Sequence, residues 1–287
     1  PGPLGGECAG VVCALGEGVA GLRIGEPVMA LASGSFASHV TTRAEFVQSL
    51  PPGQGAAEAA SIPIAFLTAK FCLDHLARMT RGERVLIHAG AGGVGMAAVR
   101  LALRAGAEVF ATAGSEWKRE MLRGMGVAHV FDSRNASFAD AILAVTHGTG
   151  VDVVLNSLSG AMLEASFAAI ARGGRFVEIG KRSIKSEADV AAMGRELRYF
   201  IVDWGESATR DPALIGRMFD SLAAELRSGE LASLPRHAFA LDDAAQAFRF
   251  MAQARHAGKI VVTHARVNDC TVQSRGTYLV TGGLAGL

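Results

Sequence analysis

Two rhythms of apolar and polar residues divide the chain. From Glu7 to about residue 50, short apolar runs are broken by glycines: ECAGVVCALG, EPVMALAS and SFASHVTT, with turns at Gly16-Glu17-Gly18 and Gly25-Glu26-Pro27. This pattern predicts short strands and a compact β-rich module. Between Ala56 and Met79 the apolar residues recur every three to four positions, which predicts a helix. From Arg84 onward, strands RVLIHA, EVFATA, HVFD and DVVLNSL are each followed by a helical stretch: GMAAVRLALRAG, EWKREMLRGMG, SFADAILAVTHG and MLEASFAAIARGG. Strands RFVEIG and LRYFIVD complete the series. Alternating strands and helices predict an α/β fold, a doubly wound parallel sheet of the Rossmann type. After Asp203 come two amphipathic helices, ALIGRMFDSLAAELRSG and DDAAQAFRFMAQARHAG, the second capped by Asp242 or Asp243 and stopped by Gly258. GKIVVTH then returns to strand.

Composition adds limits. The 287 residues carry a net charge of +1, 50% are hydrophobic and 19% are charged. A folded globular protein is expected, with no field that favours nucleic acid or an acidic membrane. No apolar stretch in the sequence reaches the roughly 20 residues of a membrane span, and no signal peptide is legible. Cys8, Cys13, Cys72 and Cys270 show neither disulfide nor zinc spacing, so four ordinary buried thiols in a cytoplasmic protein are expected. The chain opens on Pro-Gly-Pro and closes on TYLVTGGLAGL, a strand running into a second glycine-rich turn. A fragment of a larger polypeptide is the simplest reading.

The glycines of HAGAGGVGMA stand where the first strand of the βαβ series hands over to its helix. Gly90, Ala91, Gly92, Gly93, Val94 and Gly95 form the elbow. Small residues there allow a tight turn and close approach of a pyrophosphate, which the helix N-terminus attracts. An NAD site usually ends its second strand with a carboxylate for the ribose 2′-hydroxyl. Here EVFATA ends in Gly114-Ser115, with Lys118 and Arg119 just beyond and Arg134 at the end of the third strand. A hydroxyl with cations suits a 2′-phosphate, so NADPH is the expected cofactor. Arg119 reads instead as a solvated helix-face residue.

The strings PLGGECAGVV, SIPIAFLTA, RVLIHAGAGGVGMAAVRLA, DVVLNSLSG and GRFVEIGKRSI resemble the enoyl reductase domains of modular polyketide synthases and animal-type fatty acid synthases. These belong to the zinc-independent medium-chain dehydrogenase/reductase superfamily. The resemblance runs from about residue 2 to about 265. It implies a GroES-like substrate-binding module over 1–75 and 206–270, with its first strands lying before residue 1, and an NADPH-binding domain over 76–205. Residues 271–287 resemble the start of a ketoreductase domain. Zinc-dependent relatives carry G-H-E where this chain has Gly5-Gly6-Glu7, and the four-cysteine zinc lobe is missing, so no metal site is expected. Metal-assisted alcohol oxidation would then lack its Lewis acid.

The activity implied is NADPH-dependent reduction of a 2-enoyl thioester carried on the phosphopantetheine arm of an acyl carrier protein. Hydride adds at Cβ and a proton at Cα. By the resemblance, Lys181 of the E-x-G-K stretch and Asp203 after LRYFIVD are the proton-handling pair. Both stand at carboxyl ends of parallel strands, where such sheets bind ligands. His39 occupies a position that is Tyr in some members, where it is linked to the stereochemistry of α-protonation. Thr68, Asn156, Ser157 and Gly180 are expected along the cofactor crevice, and Lys259 near the cofactor phosphates. Neighbouring synthase domains, including a ketoreductase, are expected partners. Domains of this type are dimeric in some synthases and monomeric in others, so a homodimer is one assembly the resemblance allows. Rival readings are a free-standing quinone or alkenal reductase, a ring-closing variant driven by hydride displacement, and a nucleotide-binding structural module.

Overall fold

The computed structural model describes residues 2–264 and 278–281. The chain divides into two compact units: Pro1–Leu67 with Gly205–Leu284, and Thr68–Trp204. In the first unit β1 (Glu7–Val11), β2 (Pro27–Leu31) and β3 (Val47–Ser49) pair antiparallel in sequence order. SFASHVTT, expected as a strand, is irregular, and β3 lies further along the chain. The β1–β2 ladder loosens here. The N–H groups of Gly34 and Phe36 still donate to Gly5 and Leu4 (3.0 and 3.1 Å), but Gly5 and Gly34 both take positive φ and turn the two chains away from regular pairing.

The second unit holds six parallel strands: β4 (Arg84–Ile87), β5 (Glu108–Ala113), β6 (His129–Asp132), β7 (Val151–Asn156), β8 (Ile170–Glu178) and β9 (Arg198–Ile201). Their order is β6-β5-β4-β7-β8-β9. The order reverses between β4 and β7, and the C-terminal ends of the strands there form the crevice of a dinucleotide-binding sheet. Helices Gly93–Ala105, Glu116–Gly124, Ser137–Val145 and Ala161–Ala168 connect the strands. The last is shorter than its sequence pattern suggests. Ile170 leaves the helix to pair with Val151, and Val151 N–H donates to the Ala169 carbonyl at 2.9 Å. Strand pairing beats helix propensity at that junction.

Leu86, Phe110, Val154 and Phe176 from the strands pack with Phe138, Ile142, Leu163 and Phe167 from the helices. The Phe167 and Phe176 rings stack at 4.1 Å between centroids. Burial of a side chain of this size stabilises by about 1.5–3 kcal/mol.

The chain returns to the first unit at Gly205, where helices Trp204–Arg210 and Pro212–Arg227 are followed by β10 (Arg236–Ala240), β11 (Lys259–Thr263) and β12 (Tyr278–Thr281). The sheet order is β10-β11-β12-β1-β2-β3. β12 runs antiparallel to both neighbours. Of the ketoreductase-like tail, the rest lies outside the described residues, as does Cys270.

Helix Ala244–Ala252 ends before Gly258, and Asp243 at its N-cap makes no side-chain cap. Gly258 serves the entry to β11 instead: its φ is +68°, and a Cβ there would overlap the Pro235 carbonyl oxygen. Ala56–Leu76 is long and apolar enough to cross a membrane by composition, but 89% of its window is buried within the protein, as in a core helix. The expectation of four buried thiols also changes: Cys8 and Cys72 are buried, and Cys13 is exposed.

Candidate cofactor and catalytic site

The glycine elbow follows β4 as its spacing predicts. Gly92 is the N-cap of helix Gly93–Ala105 and offers no side-chain cap, so the first N–H groups of the helix face outward from the turn. A Cβ on Gly95 would overlap the Ala89 carbonyl oxygen and come within 2.8 Å of the Gly90 Cα. A Cβ on Gly90 would meet Leu122 at 3.1 Å and Ala111 at 3.2 Å. Ala91 is buried, and Val94 lies in the first turn of the same helix. The elbow is therefore shaped by backbone contact, with room only for small residues. Such an end binds anions through free N–H groups and the helix dipole.

At the rim of β5 and β6, Gly114, Ser115, Lys118 and Arg134 come together. Arg134 lies across Gly114, its Nε 3.2 Å from where a Cβ would stand. Burial, and then the charge of Arg134, lower the pKa of Lys118. Two cations are thus held near each other at one edge. Ser115 is the N-cap of helix Glu116–Gly124 but makes no side-chain cap, although Ser is a preferred capping residue. Its buried Oγ has no partner among the described residues. Arg119 departs from the expected solvated face. Its guanidinium donates to the Ala113 carbonyl at 3.0 Å and pairs with Glu116 and Asp132.

Thr68 and Ser157 also hold buried hydroxyls without hydrogen-bond partners among the described residues. Buried hydroxyls are ordinarily satisfied. Three orphans of this kind, at three positions named from the sequence as cofactor contacts, fit a ligand rich in polar groups. Together with the small-residue elbow they pass a dinucleotide on fit.

At the ends of β7 and β8, Asn156 is fully buried and Glu178 is 1% exposed. Asn156 Nδ2 donates to Glu178 Oε2 at 2.6 Å and to the Leu158 carbonyl at 2.9 Å. Gly180 N–H donates to Glu178 Oε1, also at 2.6 Å. Burial raises the carboxyl pKa of Glu178, against the two donors that lower it. Sequence reasoning named Asn156 and Gly180 and missed Glu178. The signal was there: a carboxylate at the C-terminal end of a parallel strand, directly after the apolar Phe176-Val177.

Lys181, just beyond, is exposed and donates from Nζ to the Val202 carbonyl at 2.9 Å. Asp203, the next residue after Val202, is exposed and takes part in a further polar interaction. The ammonium thus rests on the peptide that leads into Asp203.

The other two named residues lie in the first unit. His39 is exposed, on an irregular segment and not on a strand, with Nδ1 3.2 Å from Ser38 Oγ. Lys259 is 2% exposed and pairs with the buried Glu7 at 2.5 Å. Gly6, where zinc-dependent relatives carry histidine, would place a Cβ 2.9 Å from Ile64 Cδ1. Among the described residues, no group of three or more His, Cys, Asp or Glu is arranged to hold a metal ion.

A family model described as zinc-binding dehydrogenase matches residues 125–262. The crystal structure of CurK enoyl reductase is 43% identical, with a TM-score of 0.84, over 91% of this chain and 78% of that one. The CurF ER cyclopropanase from the curacin A biosynthetic pathway is 38% identical, with a TM-score of 0.86, over 90% and 78%. Mycobacterial Rv1454c, solved in complex with NADPH, is 25% identical, with a TM-score of 0.83, over 91% and 82%. A phenolphthiocerol/phthiocerol polyketide synthase polypeptide of Mycobacterium tuberculosis is 42% identical over 99% of this chain, which spans 14% of the length of that relative.

Fold, elbow and crevice define a nicotinamide-dependent oxidoreductase. The relatives narrow this class. The chain belongs to the enoyl reductases of polyketide synthases, within the medium-chain dehydrogenase/reductase superfamily.

Proposed function

We propose that this chain reduces a 2-enoyl thioester, presented on the phosphopantetheine arm of an acyl carrier protein, with NADPH as reductant. The observation that carries the reading is the Lys181 ammonium, held on the Val202 carbonyl beside Asp203, at the carboxyl ends of β8 and β9.

NADPH, when bound, supplies the hydride that adds to the β-carbon of the alkene. The pyrophosphate would rest on the elbow from Gly90 to Gly95, and the 2′-phosphate between Ser115, Lys118 and Arg134. Thr68, Asn156, Ser157 and Gly180 would line the nicotinamide half. As electron density moves toward the thioester carbonyl, the Lys181 ammonium stabilises the enolate oxygen or delivers a proton from Nζ to the α-carbon. Asp203, the residue after the carbonyl on which that ammonium rests, is the second member of the proposed pair. The product is the saturated thioester. His39 is a second candidate donor by the resemblance.

The experiment is a nicotinamide absorbance assay with NADPH and crotonyl-pantetheine or a crotonyl-loaded carrier protein. Consumption of NADPH with formation of the butyryl thioester is expected. Folded protein that binds NADPH and consumes none with either substrate overturns the reading. The likeness to the CurF cyclopropanase supports a second reading. In that reading the electron pair generated at the α-carbon expels a leaving group from elsewhere on the acyl chain and closes a ring. A halogenated enoyl thioester separates the two, since cyclised and simply reduced products differ by one HX in mass.

A further inference from the structure

We infer that Glu178 is a positioning residue. Its buried carboxylate locks the Asn156 amide and the turn from Ile179 to Lys181 into the geometry that catalysis needs. The inference rests on reading this end of the sheet as the nicotinamide half of the site.

The argument begins with cost. Glu178 is 1% exposed, and among the described residues no Lys or Arg pairs with it. An uncompensated buried carboxylate is expensive, and a strand end can be closed by an apolar residue at no such cost. What it gains here is two short hydrogen bonds, one per oxygen, from Asn156 Nδ2 and Gly180 N–H. Asn156 is the last residue of β7 and Gly180 lies just beyond β8, so both donors stand where the chain leaves the sheet at its C-terminal edge. Backbone bonds extend the lock: Ile179 N–H donates to the Asn156 carbonyl and Val202 N–H to the Glu178 carbonyl, each at 2.9 Å. Val202 in turn holds Lys181. A single residue therefore ties together the strand ends that carry Asn156, Ser157, Gly180, Lys181 and Asp203.

Glycine at position 180 is part of the same device. A Cβ there would stand 2.6 Å from Glu178 Oε1 and 3.8 Å from the Ser157 carbonyl carbon. The turn is drawn so close that a side chain at 180 would have to displace the carboxylate from its two donors. An amide at 178 has one acceptor and one NH2. It satisfies one of the two donors and faces the other with an N–H.

The test uses three proteins: wild type, Glu178→Gln, and the exchange Asn156→Asp with Glu178→Gln. In the exchange, the amide at 178 donates to the new carboxylate at 156 and still accepts from Gly180, while the bond from position 156 to the Leu158 carbonyl is lost. Glu178→Gln is expected to lower kcat about tenfold or more while KM for the enoyl thioester moves less than about twofold, as misplacement of reacting groups does. The exchange is expected to restore part of the lost kcat, and not all of it, because the bond to the Leu158 carbonyl is broken in it. A second readout is the Gly180 amide in protein labelled with 15N-glycine. Its proton should lie downfield on a carboxylate acceptor, move upfield in Glu178→Gln, and respond to added NADPH in wild type. A Glu178→Gln protein with normal kcat, or a folded exchange variant as impaired as the single one, overturns the inference and leaves the reductase reading intact. If the single variant does not fold, a folded exchange variant with near-normal kcat supports the inference and one with a large loss of kcat overturns it. Wild type without turnover overturns the reductase reading, and this inference with it.

Discussion

The carboxylate of Glu7 and the ammonium of Lys259, 252 positions apart in the chain, meet at 2.5 Å in the interior of the first unit. The second oxygen of Glu7 accepts from Ile64 N–H at 2.7 Å, at the first turn of helix Pro63–Lys70. One ion pair thus joins β1, β11 and the start of a helix. Breaking such a pair leaves a buried charge alone, which costs about 3–5 kcal/mol, whereas replacing both members by apolar residues is often close to neutral. Lys259→Met should lower the denaturant midpoint sharply, and adding Glu7→Leu should restore much of it. NADPH affinity of the folded double variant, measured by nicotinamide fluorescence, should stay near wild type. A large loss of affinity would instead give Lys259 a direct role at the cofactor phosphates.

Gly95→Ala should be far more damaging than an ordinary glycine-to-alanine change in a helix, which usually stabilises by a few tenths to about 1 kcal/mol. The added methyl would run into the Ala89 carbonyl and the Gly90 Cα, which are backbone and cannot swing aside. Overpacking of this kind costs about 1–3 kcal/mol. Circular dichroism melts should show the loss, and fluorescence titration should show NADPH binding weakened in parallel.

Lys118→Ala with Arg134→Ala should erode the preference for NADPH. Each charged hydrogen bond to a phosphate is worth about 1.5–3 kcal/mol, so the two together should weaken NADPH by at least about a hundredfold. NADH, which lacks the 2′-phosphate, should bind as before. An unchanged ratio of the two dissociation constants would refute the assignment of this rim.

Lys181→Ala should lower kcat by about a hundred- to ten-thousandfold, the usual contribution of a positioned acid. Asp203→Ala should lower it less, because it acts through Lys181. Nucleotide binding should survive both changes. Stopped-flow traces in deuterated water should show a larger solvent isotope effect where protonation has become limiting.

His88 sets an acid limit on stability. It is 2% exposed between Thr112 Oγ1 (2.9 Å from Nδ1) and Ser166 Oγ (2.8 Å from Nε2), and burial lowers its pKa to about 3. The unfolded chain binds a proton there below about pH 6.5, and the folded one does not until about pH 3. In that window the unfolded state binds more protons, so stability falls as pH falls, by roughly 1 kcal/mol per pH unit from this group. Denaturant midpoints measured from pH 7 to pH 4 should show the slope, and His88→Gln should flatten it.

Much of the second unit was legible in the chain. Strands EVFATA and HVFD span the residues their patterns predict; EVFATA is buried from Val109 onward, as an interior parallel strand must be, and HVFD is the half-buried edge strand. The elbow was legible because close backbone approach admits only small residues. Less could be read where a partner strand decides the outcome, as at Ile170, where pairing with Val151 ends a helix that its own alanines would continue. SFASHVTT likewise has strand chemistry, but the positive φ of Gly5 and Gly34 turns the two chains out of regular pairing there.

The sequence alone determined the α/β class, the place of the glycine elbow and the cations at the rim of β5 and β6 that we propose for the 2′-phosphate. These depend on residue size, charge and spacing within about thirty neighbouring positions. Tertiary structure decided which side chains are spent and which are left over. It buried Lys259 against Glu7, left the hydroxyls of Thr68, Ser115 and Ser157 without partners among the described residues, and set the Glu178 carboxylate between the Asn156 amide and the Gly180 N–H. Hydrogen bonding and burial are properties of neighbours in space, and strands distant in the chain supply those neighbours only once the sheet has formed.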